Sequence, residues 1–184
     1  IRAVLNMHRN CSPYMEKYVL QAYFKMKAIV GGLARMKLRY GPMVRDHLTT
    51  LWEQFNRNDG TYNHGWSGGP LTLLSQYVAG ISPLAVGYSK YQIRPQLGDL
   101  NHVEATVPSA KGRIHVVIAR QAGELDMSLE SPAGTEGKVM LPLGSMTLSR
   151  LEIDGAVVEN PKVYNGRVVF GVTPGKWTVK LVGK

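Results

Sequence analysis

The sequence lacks the residues that build disulfide frameworks, metal clusters and membrane spans. It contains one cysteine, Cys11, which excludes an internal disulfide. His8 lies close to Cys11, but no second ligand pair follows at zinc-site spacing, so neither a metal nor a cofactor is predicted. No apolar run approaches the ~18 residues that a bilayer-spanning helix needs, and no membrane partner is predicted. The chain begins at Ile1 without a charged-then-apolar leader, and we interpret it as part of a longer protein.

Acidic side chains are also scarce, with 13 against 22 basic ones and a net charge of +9. Residues 1–87 carry +6 and residues 88–184 carry +3. A basic excess can indicate nucleic acid or an acidic substrate as partner. No run of five basic residues and no recognised binding motif accompanies the charge, so we predict solvated helix faces and no nucleic-acid partner. The basic residues expected on those faces are Lys25, Lys27, Arg35, Lys37 and Arg39.

The first half of the chain has the period of amphipathic helices. Ser12-Pro13 predicts a helix start, because serine caps free amides and proline fits the first turn. Apolar residues then recur at helical spacing from Met15 to Met26 and predict the buried stripe. A second helix is predicted over 29–40, where Gly31-Gly32 would let a neighbouring helix approach closely. We expect Gly41-Pro42 to end it.

A third helix is predicted to start at Ser67–Pro70. Its expected buried face is formed by Leu71, Leu74, Tyr77, Val78 and Ile81. From about Tyr88 the apolar period becomes two, as in Ile114, Val116 and Ile118, which is typical of a half-buried antiparallel sheet. Asp154-Gly155 and Asn165-Gly166 predict hairpin turns. About eight short strands at this spacing predict a β-sandwich over 88–184, with a domain boundary near Pro83–Ser89.

The segment from Thr49 to Pro70 combines large aromatics with one carboxylate, Glu53, and one imidazole, His64. This combination suits a sugar site, because aromatic faces stack on pyranose rings while the carboxylate and imidazole bond hydroxyls or move protons. From the residues alone an alternative stays open, in which Trp52, Phe55 and Trp66 belong to a core and Glu53 is a solvated loop acid. His64 could equally bond a backbone carbonyl.

Three features of the segment resemble the late active-site loop of bacterial α-L-rhamnosidases: Thr49-Thr50-Leu51-Trp52-Glu53, Gly60-Thr61 and Asn63-His64. The resemblance extends upstream through Arg35–Tyr40 and downstream through Gly80-Ile81-Ser82-Pro83. It implies an α+β multidomain fragment: residues 1–87 would be the last helices of an (α/α)6 catalytic barrel, and residues 88–184 an antiparallel C-terminal β-sandwich. It also implies inverting glycoside hydrolysis outside the cytoplasm, periplasmic or secreted.

By the same resemblance Glu53 is the general base, and His64, Trp52, Trp66 and Asn63 are substrate-binding residues. An inverting enzyme also needs a general acid, and the family's acid would lie in earlier barrel loops outside this chain. The implied partners are a rhamnose-containing glycan or glycoside and the remainder of the same barrel. The segment from Glu53 to the Asn-His pair is shorter here than in the family, so another sugar is an alternative. A non-catalytic carbohydrate-binding protein of this fold is a third reading.

The second half offers further aromatic candidates for carbohydrate contacts. We interpret them chiefly as core residues, because scattered aromatics on alternating strands mostly fill cores. They are Trp177, Tyr164 and Tyr91, with His102 beside them.

Overall fold

The computed structural model describes residues 2–48 and 50–184, so Thr49 of the predicted motif lies outside the described residues. The chain divides into two compact units, Ile1–Leu74 and Ser75–Lys184. Among the described residues, none of the helices is long and apolar enough to cross a membrane. The helices are α1 Arg2–Met7, α2 Pro13–Lys25, α3 Ile29–Arg45 and α4 Gly69–Leu73.

In the first unit, α2 and α3 pack closely as an antiparallel-type pair joined by a short turn. Ser12 caps α2 as predicted, its Oγ accepting the Met15 N–H at 3.4 Å. Two glycines of α3 face Tyr23: an added Cβ would lie 3.2 Å from the Tyr23 ring at Gly31 and 3.1 Å from the Tyr23 Cβ at Gly32. The prediction that these glycines permit close helix approach is therefore confirmed.

A buried ion cluster joins the two helices. Glu16 is fully buried, and Arg35, 7% exposed, donates from Nη2 to Oε2 at 3.0 Å and from Nε to Oε1. Arg39 Nε lies 3.6 Å from the same carboxylate. The prediction of solvated faces is wrong for these two arginines. A carboxylate buried beside the apolar face of α2 requires cationic partners, and α3 supplies them.

Helix α3 continues past the predicted stop at Gly41-Pro42 and ends at Arg45, with Pro42 inside it. Proline removes one intrahelical donor, and the missing bond would have gone to the turn that carries Leu38. Leu38 is half exposed, so water can reach this side of the helix. Tertiary packing of Tyr40 and Met43, both buried, outweighs the local stop signal.

The predicted buried faces of two helices are also partly wrong. Met15 and Tyr18 of α2 are about half exposed, whereas Leu20, Tyr23 and Phe24 are buried. The predicted third helix is three short segments, a 3-10 turn Gly65–Gly68, α4 and a π-type turn Leu74–Val78. In α4 Leu71 is exposed and Leu73 is buried. These helices are apolar on more than one face, and periodicity alone does not say which face the chain itself covers.

The second unit is a sandwich of two sheets, as predicted. One sheet has the order β1-β2-β6-β10-β9 with a parallel β2–β6 pair, and the other has the order β3-β4-β5-β11-β7-β8 and is antiparallel. The strands are β1 Ile81–Pro83, β2 Lys90–Ile93, β3 His102–Ser109, β4 Gly112–Gln121, β5 Glu124–Ser131, β6 Glu136–Pro142, β7 Leu148–Ile153, β8 Ala156–Val157, β9 Val163–Tyr164, β10 Arg167–Val172 and β11 Gly175–Gly183.

The core lies between the sheets and is built from the predicted alternating residues. Ile114, Val116 and Ile118 are fully buried. Asp154 and Asn165 both adopt positive φ in the predicted hairpin turns, at 50° and 49°. Strand β1 already pairs with β2, so this unit begins before the predicted boundary near Pro83–Ser89. The assignment of 1–87 to a barrel and 88–184 to a C-terminal domain is not tested by this division and stays a prediction.

Candidate active-site loop

The loop after α3 folds back on itself and places its ends side by side. The Glu53 N–H donates to the Thr61 carbonyl at 2.9 Å, and the His64 N–H donates to the Leu51 carbonyl at 3.0 Å. A turn between these pairs is closed by the Asp59 N–H, which donates to the Asn56 carbonyl at 3.1 Å. The loop therefore brings residues 53, 61 and 64 together although they are separated by up to 11 positions.

The Glu53 carboxylate is held in place by Thr61. Its Oε2 accepts the Thr61 N–H at 3.0 Å and the Thr61 hydroxyl at 3.2 Å. The backbone hydrogen bond from Thr61 is the main cause that lowers the pKa of Glu53. Burial opposes this shift, and the Thr61 hydroxyl and the nearby His64 add to it. The side chain is 25% exposed, so it is neither free in solvent nor sealed in the interior.

Gly60 makes room for this carboxylate. Its φ is +78°, a conformation that residues with a Cβ rarely adopt, and an added Cβ would lie 2.8 Å from Glu53 Oε2. The Gly60-Thr61 pair thus supplies both the space and the donors around one oxygen. The pair belongs to the predicted motif, but no local pattern in the sequence marks Thr61 as a contact of Glu53.

His64 lies beside the same threonine. Its Nδ1 is 3.1 Å from Thr61 Oγ1 and 3.6 Å from Glu53 Oε2. The ring is one-third exposed and contacts Trp66, with centroids 4.3 Å apart and planes inclined by 45°. The structure therefore brings together three of the predicted site residues, Glu53, His64 and Trp66.

Trp66 begins a row of exposed aromatic rings. Its ring lies 5.4 Å from that of Tyr14, which lies 6.0 Å from Tyr18. All three rings are between 41% and 48% exposed. An open aromatic face beside a carboxylate and an imidazole is the arrangement that a pyranose ring can stack on.

Trp52 and Asn63 are placed differently. The Trp52 side chain is only 4% exposed, and its carbonyl accepts the buried Ser67 hydroxyl at 2.6 Å. Trp52 therefore lies in the interior of the loop. Its role as a wall of the sugar site stays a prediction, and the exposed Trp66 is better placed for that role. Asn63 is exposed, and within residues 2–48 and 50–184 its side chain forms no hydrogen bond to His64.

Phe55 attaches the loop to α3. The Arg39 guanidinium lies 3.7 Å above the Phe55 ring, and the Tyr40 ring meets it edge-on at 5.2 Å. Because Arg39 also faces Glu16, the ion cluster and the loop share one side chain. No sequence signal identified this link, since it depends on how α2, α3 and the loop pack.

Asp46 and Tyr91 occupy structural positions outside the candidate site. Asp46 is paired with Arg57 at 3.3 Å and with His47 at 3.1 Å. In the sandwich Tyr91 is fully buried and donates to Ser131 Oγ at 2.8 Å, which confirms the core interpretation for that residue. Across the part of the chain that the structure describes, no group of three or more His, Cys, Asp or Glu side chains could hold a metal ion.

A family model matches part of the second unit. The model of the bacterial alpha-L-rhamnosidase C-terminal domain matches residues 80–154. Residues 80–154 thus resemble the C-terminal domain of bacterial α-L-rhamnosidases. The resemblance to α-L-rhamnosidases that the sequence indicated is thereby confirmed, and the matched segment starts at Gly80, just before β1. No curated protein sequence matches the chain.

Solved α-L-rhamnosidase structures share the fold. The enzyme from Dictyoglumus thermophilum aligns with a TM-score of 0.68 and 21% identity, over 78% of this chain and 17% of that one. The Streptomyces avermitilis α-L-rhamnosidase complexed with L-rhamnose gives 0.60 and 24%, over 77% and 14%. The Aspergillus terreus enzyme gives 0.57 and 20%, over 84% and 18%. This chain thus spans less than a fifth of each of these proteins.

Proposed function

We propose that this chain is the C-terminal part of a glycoside hydrolase that cleaves terminal α-L-rhamnosides with inversion, and that Glu53 is its general base. The observation that supports this proposal is the Glu53 carboxylate, fixed by two Thr61 donors beside His64 and the exposed ring of Trp66. Rhamnose carries a C5 methyl group, so its apolar side suits an aromatic wall.

The proposed chemistry follows from the state of the carboxylate. Because its pKa is lowered, Glu53 is ionised at neutral pH and can accept a proton from a water molecule that attacks the anomeric carbon. His64 and Trp66 would hold the sugar against that water, His64 through hydroxyl groups and Trp66 through its ring face. Asn63, exposed on the same loop, would contribute a further polar contact.

The general acid would come from another part of the protein. Inverting glycosidases place their two carboxyl groups roughly 6.5–9.5 Å apart, on opposite sides of the scissile bond. Asp46 is the acidic residue that precedes Glu53 in the chain, but it is paired with Arg57 and His47. We therefore assign the acid to preceding barrel helices, and we expect this chain alone to be inactive.

An apolar groove in the first unit would receive those helices. It has a volume of about 540 Å³ and lies between α3 and α4. Val44 and Leu71 line it while being 74% and 67% exposed, and Leu38 on α3 is also half exposed. Exposed apolar side chains of this size on neighbouring helices are typical of a surface that another element covers. The remainder of an (α/α)6 barrel is the occupant we propose, since the similar α-L-rhamnosidases are several times longer than this chain.

The test is the stereochemistry of hydrolysis by a polypeptide that includes the proposed barrel helices. We expect an aryl α-L-rhamnoside to release β-L-rhamnose first, followed by mutarotation, as observed by proton NMR at early times. Release of the α-anomer first would contradict the inverting mechanism. Turnover of another aryl glycoside but not of the rhamnoside would favour a different sugar, and glycan binding without any turnover would favour a carbohydrate-binding protein.

A further inference from the structure

Thr61 contacts both of the polar side chains that the proposed function uses. Its hydroxyl oxygen lies 3.2 Å from Glu53 Oε2 and 3.1 Å from His64 Nδ1, whereas those two atoms are 3.6 Å apart. The direct Glu53–His64 distance is too long for a hydrogen bond, so the hydroxyl is the shorter connection between them.

The proton count of a hydroxyl makes these two contacts interdependent. A threonine hydroxyl has one proton to donate and two lone pairs to accept with. While Glu53 is ionised it can only accept, so the hydrogen bond between Thr61 Oγ1 and Glu53 Oε2 requires the hydroxyl proton to point to Oε2. His64 must then donate from Nδ1 to Thr61 Oγ1, and in the neutral ring Nε2 carries no proton.

Neighbouring charged groups do not compete for the contacts among Glu53, Thr61 and His64. His64 is a titratable side chain next to Glu53, with its Nδ1 3.6 Å from Glu53 Oε2. Asp59 bonds within its own turn, and Arg57 pairs with Asp46. Within the described residues His64 Nε2 has no hydrogen-bond partner, and the ring is one-third exposed, so Nε2 is available to solvent or a ligand.

We infer that Thr61 is a positioning residue that couples the ionised state of Glu53 to the tautomer of His64, so that Nε2 of His64 accepts a hydrogen bond from a ligand hydroxyl. This inference rests on the proposed function for its consequence in catalysis. The tautomer itself is a property of the loop and can be measured without substrate.

The first experiment reads the tautomer directly. In the purified protein labelled with ¹⁵N-histidine, at a pH where His64 is neutral and Glu53 ionised, we expect the ¹⁵N shifts of His64 to report a proton on Nδ1. Thr61→Ser keeps the hydroxyl and should keep this pattern, whereas Thr61→Val should abolish the excess of the Nδ1–H form. Thr50→Val is the matched control, because Thr50 bonds the Tyr62 carbonyl in the same loop without touching Glu53.

A proton on Nε2 in the wild-type protein, or an unchanged tautomer in Thr61→Val, would overturn the inference, whatever the activity.

The second experiment uses the hydrolase with its proposed barrel. Thr61→Val should move the acidic limb of kcat/KM to higher pH, because Glu53 loses one donor, while Thr61→Ser restores the wild-type limb. If the limb does not move although the tautomer does, Glu53 is not the base, and the proposed function fails while the coupling stands.

Discussion

Removing the carboxylate of Glu16 is expected to destabilise the helical unit strongly. In Glu16→Leu, Arg35, which is buried in the wild-type chain, loses both of its hydrogen bonds to the carboxylate, and Arg39 loses the carboxylate 3.6 Å from its Nε. Breaking a buried pair by removing one partner costs about 3–5 kcal/mol. The whole free energy of unfolding of a domain is only about 5–15 kcal/mol, so the loss is a large fraction of it.

The assay is urea unfolding followed by the helical far-UV circular dichroism signal, which arises chiefly from the first unit. The control is Glu136→Leu in the second unit, followed by the β-sheet signal of that unit, since the Lys90–Glu136 pair at 3.1 Å has both side chains more than 60% exposed. Exposed pairs of that kind contribute about 0–1 kcal/mol. The double variant Glu16→Leu/Arg35→Leu should be more stable than Glu16→Leu alone, because Arg35, the more deeply buried of the two cations, is no longer left without its carboxylate partner. A loss in Glu16→Leu no larger than in the control would refute this reasoning.

Three further outcomes are expected. Gly137→Ala should destabilise the sandwich by about 1–3 kcal/mol in thermal or urea unfolding, because the added Cβ would lie 2.5 Å from the Val172 side chain of β10. Gly171→Ala should change little, because its Cβ would meet only the Gly137 carbonyl oxygen, at an ordinary contact distance of 4.0 Å. Equal losses in the two variants would contradict the packing argument. Gly60→Ala should reduce rhamnoside hydrolysis by displacing the carboxylate of Glu53. Gly155→Ala is the control and should leave hydrolysis unchanged, because Gly155 has the same φ of +78° but no neighbour within 4 Å. Equal activity in the two variants would contradict the assigned role of Gly60. The folded-state pKa of Glu53 is lowered, so its contribution to the free energy of unfolding is complete above the ordinary pKa of a glutamate and is lost as the pH falls through the lowered value. Glu53→Gln should therefore flatten the acid dependence of stability measured in unfolding curves. An unchanged acid dependence would contradict this expectation.

The β-sandwich could be predicted from the sequence because its signals are local. Alternation at Ile114, Val116 and Ile118 sets which face is buried, and Asp154-Gly155 and Asn165-Gly166 favour positive φ wherever they occur. The strand pairing did not follow from these signals. The parallel β2–β6 pair joins segments far apart in the chain, and no local pattern encodes that choice.

The helical unit was predicted less well because its helices carry apolar residues on more than one face. Apolar residues lie on both sides of α2, and the sequence does not say that the side with the charged Glu16 is the one covered. Pro42 signals a stop that burial of Tyr40 and Met43 overrides. Both outcomes depend on packing between elements, which single-sequence periodicity does not contain.

The candidate site was predicted by residue type but not by its contacts. Glu53, His64 and Trp66 were identified and lie together. Thr61 was not identified as their common neighbour, because its role depends on the backbone pairing that brings it opposite residue 53. Short polar residues in loops carry no sequence signal that separates a contact of this kind from an ordinary turn.

The most direct measurement of the central claim is kcat/KM for an aryl α-L-rhamnoside with Glu53→Gln in the protein that includes the proposed barrel. Glutamine keeps the size of the side chain but cannot accept the proton, so we expect a loss of about 10²–10⁴-fold with the circular dichroism spectrum and urea midpoint preserved. The exposed Glu136→Gln is the control and should keep wild-type activity. Activity within a few-fold of wild type in folded Glu53→Gln would contradict the assignment of Glu53 as the base.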